Sequence, residues 1–362
     1  GQHLSNSKEL IRRHADDSPS RYENDAGRLA EYLCRPWDED WEKAYALYYW
    51  IANNIDYELD LARNPGTFLD PSELIDYALK KKSGVCQHYA ELFNFMGQEA
   101  GLQTLVIPGY TKQGEEVFDI PHAWNAIQLN DNWYLIDATW ASGYIEGERV
   151  EKRFTDDYFL VAPAQMIKSH MPFDPIFQML EQPLTHQDFY RNNFSDPNFG
   201  KIDYDEEIDT YLMLDESEKM RQSVKRIESA GIINDMILRE ANHRIENLNI
   251  MMKNRQVDVH NRAVELFNTA VRDFNAYLQA KQNKFKKPRM SDQEIARIIK
   301  EVEENALESK SLFELVRPTE EMIRTMSENA ENLRQLLRQL EEEKEFVHKY
   351  LNTGKVLRPL LF

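Results

Sequence analysis

The spacing of apolar residues changes twice along the chain and divides it into three stretches. From about residue 20 to residue 101 apolar side chains recur every three or four positions, which predicts helices; Gly101 ends the strongest of them, over residues 85–100. Between residues 102 and 139 the apolar runs are short or alternate with polar residues, which predicts strands. From about residue 204 onward the helical spacing returns and favours an antiparallel helical bundle or a long helical hairpin.

The middle stretch contains a predicted hairpin. Its apolar runs predict strands at residues 102–110, 122–129 and 133–139. Asn130-Asp131, between the last two runs, is typical of a tight hairpin turn. The following 60 or so residues are rich in loop-forming types, and no regular element is predicted there.

The length of 362 residues is sufficient for two domains that each bury a core. The change of pattern predicts an α+β domain over residues 1–200 and an all-α domain over residues 201–362. The helical half shows no group of residues typical of a catalytic site. Three roles stay open for it: positioning a protein substrate, self-association, or covering a cleft.

Composition excludes several classes of partner. Acidic residues outnumber basic ones, 62 against 44, which gives a net charge of −18. Nucleic-acid binding needs basic residues that neutralise phosphates, so no nucleic-acid partner is expected. No run of about 18 apolar residues occurs, so no membrane span is expected. The chain also lacks zinc-type Cys/His spacing and EF-hand loops, and we expect no metal or other cofactor.

The chain has two cysteines, Cys34 and Cys86, which are too few for a disulfide framework. We interpret Cys34, which precedes Arg35-Pro36 at a helix end, as a packing residue; a structural Cys34–Cys86 disulfide is the weaker alternative. The sequence leaves the compartment nearly open. Because the first residue is Gly1, the expectation is a bacterial periplasmic or secreted protein whose signal peptide has been removed.

Cys86 is predicted at the first turn of the helix over residues 85–100. Unpaired backbone N–H groups and the positive end of the helix dipole stabilise a thiolate at such a position. A thiolate is the form of cysteine that acts as a nucleophile. An isolated cysteine is nevertheless more often a small buried apolar side chain, so position alone does not assign this role.

His122 and Asp137 lie on the two strands of the predicted hairpin. If Asn130-Asp131 forms a two-residue turn, His122 pairs with Thr139, and Asp137 lies diagonally across on the same face, about 7–8 Å away. A carboxylate there can accept a hydrogen bond from one imidazole nitrogen and leave the other for a thiol. A three-residue turn would place the two side chains on opposite faces, so the predicted Cys-His-Asp triad depends on the turn.

Several motifs resemble the transglutaminase-like superfamily, in the branch that includes the kyphoscoliosis peptidase and its bacterial relatives. The resemblance covers about residues 25–185 and implies a papain-like α+β fold with a catalytic triad of Cys86, His122 and Asp137. One departure is His88, where the branch usually has Gly, and we expect this side chain on the outer face of its helix. The resembling stretches are Tyr49-Trp50-Ile51, Asn54-Ile55-Asp56-Tyr57, Ser83-Gly84-Val85-Cys86-Gln87-His88-Tyr89-Ala90, Gly109-Tyr110, His122-Ala123-Trp124-Asn125, Trp133-Tyr134-Leu135-Ile136-Asp137-Ala138-Thr139-Trp140, Tyr158-Phe159-Leu160, Pro163 and His170-Met171-Pro172.

Four further residues are candidates for the surroundings of this triad. Gln87, together with the backbone N–H of Cys86, is a candidate oxyanion donor. Trp124 and Trp140 are candidate walls of an acyl-binding cleft, with burial in the core as the alternative. Tyr110 is a candidate because the resemblance places it on a strand leading toward the histidine.

The leading hypothesis is an enzyme that transfers the acyl group of an amide bond through a thioester, with a protein or peptide as its substrate partner. Water as acceptor gives hydrolysis, and an amine gives transamidation. Hydrolysis is favoured because members of the branch are mostly supposed to be peptidases. The alternative is a catalytically silent binding or scaffold protein with a transglutaminase-like fold.

Overall fold

The computed structural model describes residues 2–63, 70–147, 149–195, 197, 199–317 and 320–362. The loop expected at Asn64-Pro65-Gly66 lies outside these residues. The helices are α1 (Gln2–Asp16), α2 (Ala26–Cys34), α3 (Asp40–Asn54), α4 (Leu59–Arg63), α5 (Pro71–Lys81), α6 (Cys86–Glu99), α7 (Ala138–Ser142), α8 (Pro163–Met166), α9 (His186–Tyr190), α10 (Tyr204–Met213), α11 (Glu216–Ala230), α12 (Asp235–Gln282), α13 (Asp292–Leu315) and α14 (Glu320–Asn352). The strands are β1 (Asp56–Tyr57), β2 (Ser83–Gly84), β3 (Gln103–Gln113), β4 (Glu116–Leu129), β5 (Asn132–Ile136), β6 (Gly143–Glu146), β7 (Arg149–Lys152) and β8 (His170–Pro172).

The chain forms two compact units, Gly1–Glu246 and Asn247–Phe362. In the first unit, α3 and α6 form the centre of a helical layer that packs against one face of the sheet. Tyr45, Tyr48 and Trp50 of α3 are fully buried in this core. The unit combines helices with a largely antiparallel sheet, so the α+β class is confirmed.

The main sheet has four strands in the order β5-β4-β3-β8, and all neighbouring pairs are antiparallel. Leu129 pairs with Asn132, and the two residues between them have φ values of 50° and 60°. Positive φ at both positions is the geometry of a tight two-residue hairpin turn. The two-residue turn expected between β4 and β5 is therefore confirmed.

The predicted end of the third strand, at residue 139, is wrong. Strand β5 stops at Ile136, whose partner on β4 is Asn125. The next residue, Asp137, is the N-cap of α7, and its side chain accepts the backbone N–H groups of the first helical turn. Thr139 is thus helical and does not pair with His122, because the capping aspartate turns the chain out of the sheet.

The helices after residue 204 divide between the two units. Ile208 of α10 and Ile227 of α11 are fully buried with side chains of the first unit. Arg226 also donates two hydrogen bonds of 2.7 Å to the carboxylate of Asp174. The division at Glu246/Asn247 therefore falls later than the expected one at 200/201. An apolar stripe shows that a helix buries one face, but it does not show which element covers that face.

The second unit consists of the later part of α12 together with α13 and α14, packed as a three-helix antiparallel arrangement around a common apolar core. Ser309 of α13 donates a 2.7 Å hydrogen bond to the carbonyl oxygen of Ala263 on α12. Glu343 of α14 accepts hydrogen bonds from Tyr277 and Lys281 at 2.8 and 2.6 Å. Among the described residues after 204 all regular elements are helices, as the spacing predicts. No helix in the described part of the chain has the length and apolarity that crossing a membrane requires.

Candidate active site

Cys86 is the first residue of α6, as predicted. The short parallel pairing of Tyr57 with Gly84 leads the chain into this helix, and Val85 is the extended N-cap residue. The thiol is half-buried and is not part of a disulfide. It therefore lies where the first N–H groups of a helix have no partner within the helix.

His88 lies two residues after Cys86, about half a helical turn further along α6, and is buried, so the expectation that it faces outward is wrong. Its Nδ1 accepts a 3.3 Å hydrogen bond from the backbone N–H of Val85, and its ring packs 5.1 Å from that of Tyr77. A Cβ at Gly84 would lie 2.6 Å from that of His88, so the glycine allows this close approach. Burial lowers the pKa of His88 to about 4, and the ring is neutral near pH 7.

His122 lies on β4, opposite Gly109 of β3, and its Nε2 is 2.7 Å from Oδ2 of Asp137. The Cys86 thiol is close enough to this ring to contribute to the pKa of His122. Burial alone would lower the pKa of His122, but the Asp137 charge and these hydrogen bonds outweigh it and raise the pKa. The imidazole thus lies between a carboxylate and a thiol.

Asp137 is fully buried, and each of its carboxylate oxygens has a separate set of donors. Oδ1 accepts the backbone N–H groups of Thr139 and Trp140 at 2.8 and 2.9 Å. Oδ2 accepts from His122 at 2.7 Å and from His170 at 3.0 Å. Burial alone would raise the pKa of Asp137, but the two imidazoles hold it far below its usual range. The same side chain therefore caps α7 and orients His122.

The protonation pattern of the imidazoles follows from these contacts. An ionised carboxylate only accepts hydrogen bonds, so Nε2 of His122 and Nε2 of His170 must each carry a proton. The nitrogen of His122 that remains for Cys86 is Nδ1. This tautomer is the one that a general base acting on the thiol requires.

The sequence argument did not assign a role to His170, although this residue is in a motif that carries the resemblance. It lies on the three-residue strand β8, where it pairs with Thr111 of β3. Its Nδ1 is 2.7 Å from Oγ of Ser169, and the residue is buried. A strand this short has no measurable periodicity, and nothing in the local sequence indicates its register on β3.

Trp124 and Trp140, the two predicted cleft residues, both contact the imidazoles. The Trp140 ring lies 4.6 Å from that of His170 and 6.0 Å from that of His122. The Trp124 ring stacks on His122 at 6.1 Å and meets His170 edge-on at 5.1 Å. Gly109 makes room for this arrangement, because a Cβ there would lie 2.5 Å from Trp124 and 2.2 Å from the carbonyl oxygen of Met171.

Tyr110 is not part of this group, so its selection as a site candidate is wrong. Side chains alternate along a strand, and Gly109 is the residue that shares a face with His122. Tyr110 points to the other face, where it is fully buried and its hydroxyl lies 3.0 Å from Nδ1 of His186. Gln87 is exposed beside Cys86, and its role as an oxyanion donor stays a prediction.

A cavity of about 300 Å³ lies beside Tyr57 of β1, the strand that pairs with β2 just before Cys86. Burial raises the pKa of Tyr57 to about 12, and the charges of Cys86 and Asp137 add to this effect. The phenol is therefore close enough to both groups for their charges to act on it. The cavity is lined by Ile55, Asp56, Tyr57, Ser142, Val150 and Lys152.

His122, Asp137 and His170 also form the kind of donor set that binds divalent metals, with one ligand atom of each within 4.8 Å of the others. A metal would require both Nε2 atoms to lose the protons that they donate to Asp137. The hydrogen bonds already satisfy all three groups, and we therefore interpret the cluster as a proton-bearing network.

Comparison with known proteins identifies similar sequences for the segment that contains this site. The model of the transglutaminase-like superfamily matches residues 27–138, a segment that contains Cys86, His122 and Asp137. The human kyphoscoliosis peptidase is 32% identical over 171 residues, which cover 44% of this chain and 25% of the human protein. The mouse kyphoscoliosis peptidase is 30% identical over 180 residues, covering 47% of this chain and 27% of its own. This chain thus spans about a quarter of the length of these relatives, and the matched segment is similar to transglutaminase-like domains.

Solved structures overlap with smaller parts of the chain. A putative cysteine protease from Cytophaga hutchinsonii is 23% identical, with coverage of 34% of this chain and 40% of that one, at a TM-score of 0.27. The periplasmic domain of TgpA from Pseudomonas aeruginosa is 24% identical, with coverage of 36% and 47%, also at a TM-score of 0.27.

Proposed function

We propose that this protein is a thiol-dependent acyltransferase that cleaves amide bonds of a protein or peptide, with Cys86, His122 and Asp137 as its catalytic triad and water as the acyl acceptor. The observation that carries the proposal is the His122 ring, which is hydrogen-bonded to the buried carboxylate of Asp137 and lies close enough to Cys86 for the thiol to help raise its pKa. The leaving group would be the amine, and the second product a carboxylic acid.

The reaction proceeds in two halves. Nδ1 of His122 first takes the thiol proton, which gives a thiolate and an imidazolium that Asp137 stabilises, and Sγ of the thiolate then attacks the amide carbon. The tetrahedral intermediate collapses, the C–N bond breaks, and His122 gives its proton to the departing amine. Water then attacks the thioester with His122 as base, and the acid leaves as Cys86 regains its proton.

The negative charge that develops on the amide oxygen needs donors at the start of α6. The backbone N–H of Cys86 lies at the helix N-terminus, where the helix dipole also favours negative charge. Gln87 is the neighbouring side chain with an amide N–H that could join it. We assign this position as the oxyanion site.

Hydrolysis is the proposed outcome, with transamidation as the competing one. Two of the matched relatives carry the name peptidase, and one matched structure is described as a putative cysteine protease. The triad itself serves either acceptor, because the choice depends on whether water or an amine reaches the thioester.

The test is a turnover screen with peptide and protein amides, comparing the parent with Cys86→Ala. Cys34→Ala is the matched control, because this second cysteine is buried and burial raises its pKa to about 12. We expect amine release by the parent and by the control, and none by Cys86→Ala. Equal amine release by all three proteins would overturn the proposal.

A catalytically silent scaffold is the second candidate, and one observation favours it: Asp137 caps α7, so part of the network has a structural use that does not depend on catalysis. The two candidate functions predict different reactivities for the Cys86 thiol. A scaffold predicts that Cys86 reacts with iodoacetamide no faster than an ordinary exposed cysteine and that His122→Ala leaves this rate unchanged, whereas the enzyme predicts a fast rate that depends on His122.

A further inference from the structure

The carboxylate of Asp137 is shared between two imidazoles that come from different strands. His122 reaches it from β4 and His170 from β8, and β3 lies between them in the sheet. Cys86 contributes to the pKa shift of His122 and is not among the groups that shift the pKa of His170. His170 is enclosed, with its other nitrogen hydrogen-bonded to Ser169.

We propose that His170 is a positioning residue of the triad: as a second N–H donor to Oδ2 of Asp137, it fixes the carboxylate so that Nδ1 of His122 faces Cys86. This inference rests on the proposed function only where turnover is measured, since the geometry itself can be tested on the resting protein. His170 touches no reacting atom and acts through Asp137.

The N–H groups at the start of α7 fix only one oxygen of the Asp137 carboxylate. Thr139 and Trp140 hold Oδ1 from the helix side, which leaves Oδ2 able to tilt about that anchor. A second donor on Oδ2 removes this freedom, because the oxygen must then satisfy both imidazoles at once. Outer donors of this kind fix both the orientation and the tautomer of a histidine in many sites.

His170 remains neutral in this arrangement. Burial lowers its pKa, the Asp137 charge opposes that effect, and the His122 charge adds to it, with a net lowering. The hydroxyl of Ser169 donates to Nδ1, which leaves the proton on Nε2. The network therefore holds one positive charge, and it belongs to His122. The groups that face His170 are Asp137, His122, Tyr158, Ser169, Trp124 and Trp140.

Two substitutions separate hydrogen bonding from packing. His170→Phe keeps an aromatic ring against Trp124 and Trp140 but removes the N–H donor, whereas His170→Gln restores an amide N–H. A matched control is His186→Phe, because His186 is another fully buried histidine whose partner, Tyr110, lies on the opposite face of β3.

The main measurement is the rate of Cys86 alkylation by iodoacetamide from pH 5 to 9, with the melting temperature of each protein. We expect His170→Phe to lower the rate near pH 7 by about tenfold, the low end of effects of outer-shell partners. His170→Gln should recover most of the loss, and His186→Phe should leave the profile unchanged. A His170→Phe profile identical to that of the parent, or equal losses in all three variants, would contradict the positioning role.

Nuclear magnetic resonance of ¹⁵N-labelled histidine in the parent gives an independent test that requires no variant to fold. We expect His170 to stay neutral with its proton on Nε2 between pH 6 and 8. A cationic His170 or a proton on Nδ1 in this range overturns the inference. If the parent shows no turnover but these tests succeed, the proposed function fails while the positioning role stands.

Discussion

The two units bury polar groups to very different extents. Apart from the tyrosines Tyr277 and Tyr350, Ser309 is the one buried polar side chain among the described residues of the second unit, whereas the first unit buries aspartates, histidines and a lysine. Burying such groups is costly unless each is hydrogen-bonded. The second unit buries few such groups and so avoids this cost. The first unit buries them around Asp137, where the hydrogen bonds fix the ionised state of the carboxylate and the tautomers of the two imidazoles. We therefore propose that any chemistry is in the first unit, and the following predictions test this contrast.

The largest expected effect is on turnover in His122→Ala. Removal of the base and acid of the proposed reaction should lower kcat/KM by about 10²- to 10⁴-fold. The matched control is His260→Ala, because His260 is also half-buried but packs against Phe313 in the second unit. Measured kcat/KM should fall in the first variant only. A similar fall in both would mean that the second unit contributes to the chemistry.

Asp137→Asn should lose both activity and stability. Four donors point at this carboxylate, and an amide can present an acceptor to only two of them, so the cost is about 1–3 kcal/mol of the free energy of unfolding. The amide also favours the wrong tautomer of His122, which should slow turnover by several orders of magnitude.

Asp174→Asn provides the control for this prediction. Asp174 is also buried, caps a short helical turn and pairs with Arg226, but it lies outside the triad. Urea unfolding should show destabilisation of both variants, and Cys86 alkylation should change only in Asp137→Asn. An Asp137→Asn protein with unchanged alkylation would show that the cap is its whole role.

The site could be predicted from the sequence where local chemistry determines the structure. Cys86 at a helix start follows from the apolar spacing and Gly101, and the turn at Asn130-Asp131 determines which face carries His122. Asp137 was expected on a strand, yet its side chain caps the next helix. An aspartate at this point can either continue the strand or accept the N–H groups of a helix start, and the local sequence does not decide between the two.

Other parts of the site depend on contacts between distant segments. His170 joins the network only because β8 pairs with β3, about 60 residues earlier in the chain. Tyr110 was misplaced because its face on β3 depends on the register against β4, which the sequence of β3 alone does not contain. The boundary between the two units near residue 246 was missed for the same reason. The apolar faces of α10 and α11 pack on side chains of the first unit, and the sequences of these helices do not show which element covers those faces.

Stability should depend on pH through the His122–Asp137 pair. The raised pKa of His122 means that its contribution is complete below the ordinary value of about 6.5 and is lost as the pH rises through the folded value. The lowered pKa of Asp137 means that its contribution is present above about 3.9 and is lost in acid. The free energy of unfolding of the parent should therefore exceed that of His122→Ala most strongly between about pH 4 and 6.5. A difference that stays constant from pH 4 to 10 would contradict the ion pair.

A pair of glycines compares the packing of the two units. Gly109→Ala places a Cβ 2.2 Å from the carbonyl oxygen of Met171 and 2.5 Å from Trp124, so β8 or the indole must move. We expect a loss of about 1–3 kcal/mol by overpacking and slower Cys86 alkylation, because Trp124 stacks on His122. Gly354→Ala, in the second unit, has no heavy atom within 4 Å of the new Cβ and should change neither melting temperature nor alkylation.

The smallest expected effect is that of Ser309→Ala. The hydroxyl makes one hydrogen bond, to the carbonyl oxygen of Ala263, and alanine leaves only a small apolar gap between α12 and α13. The loss should be about 1 kcal/mol or less, since that carbonyl group can still accept its hydrogen bond within α12. Urea unfolding measures this change, and alkylation of Cys86 should stay at the parent rate. If this conservative substitution slowed alkylation, Ser309 would be coupled to the candidate site, and the separation of the proposed chemistry from the second unit would be wrong.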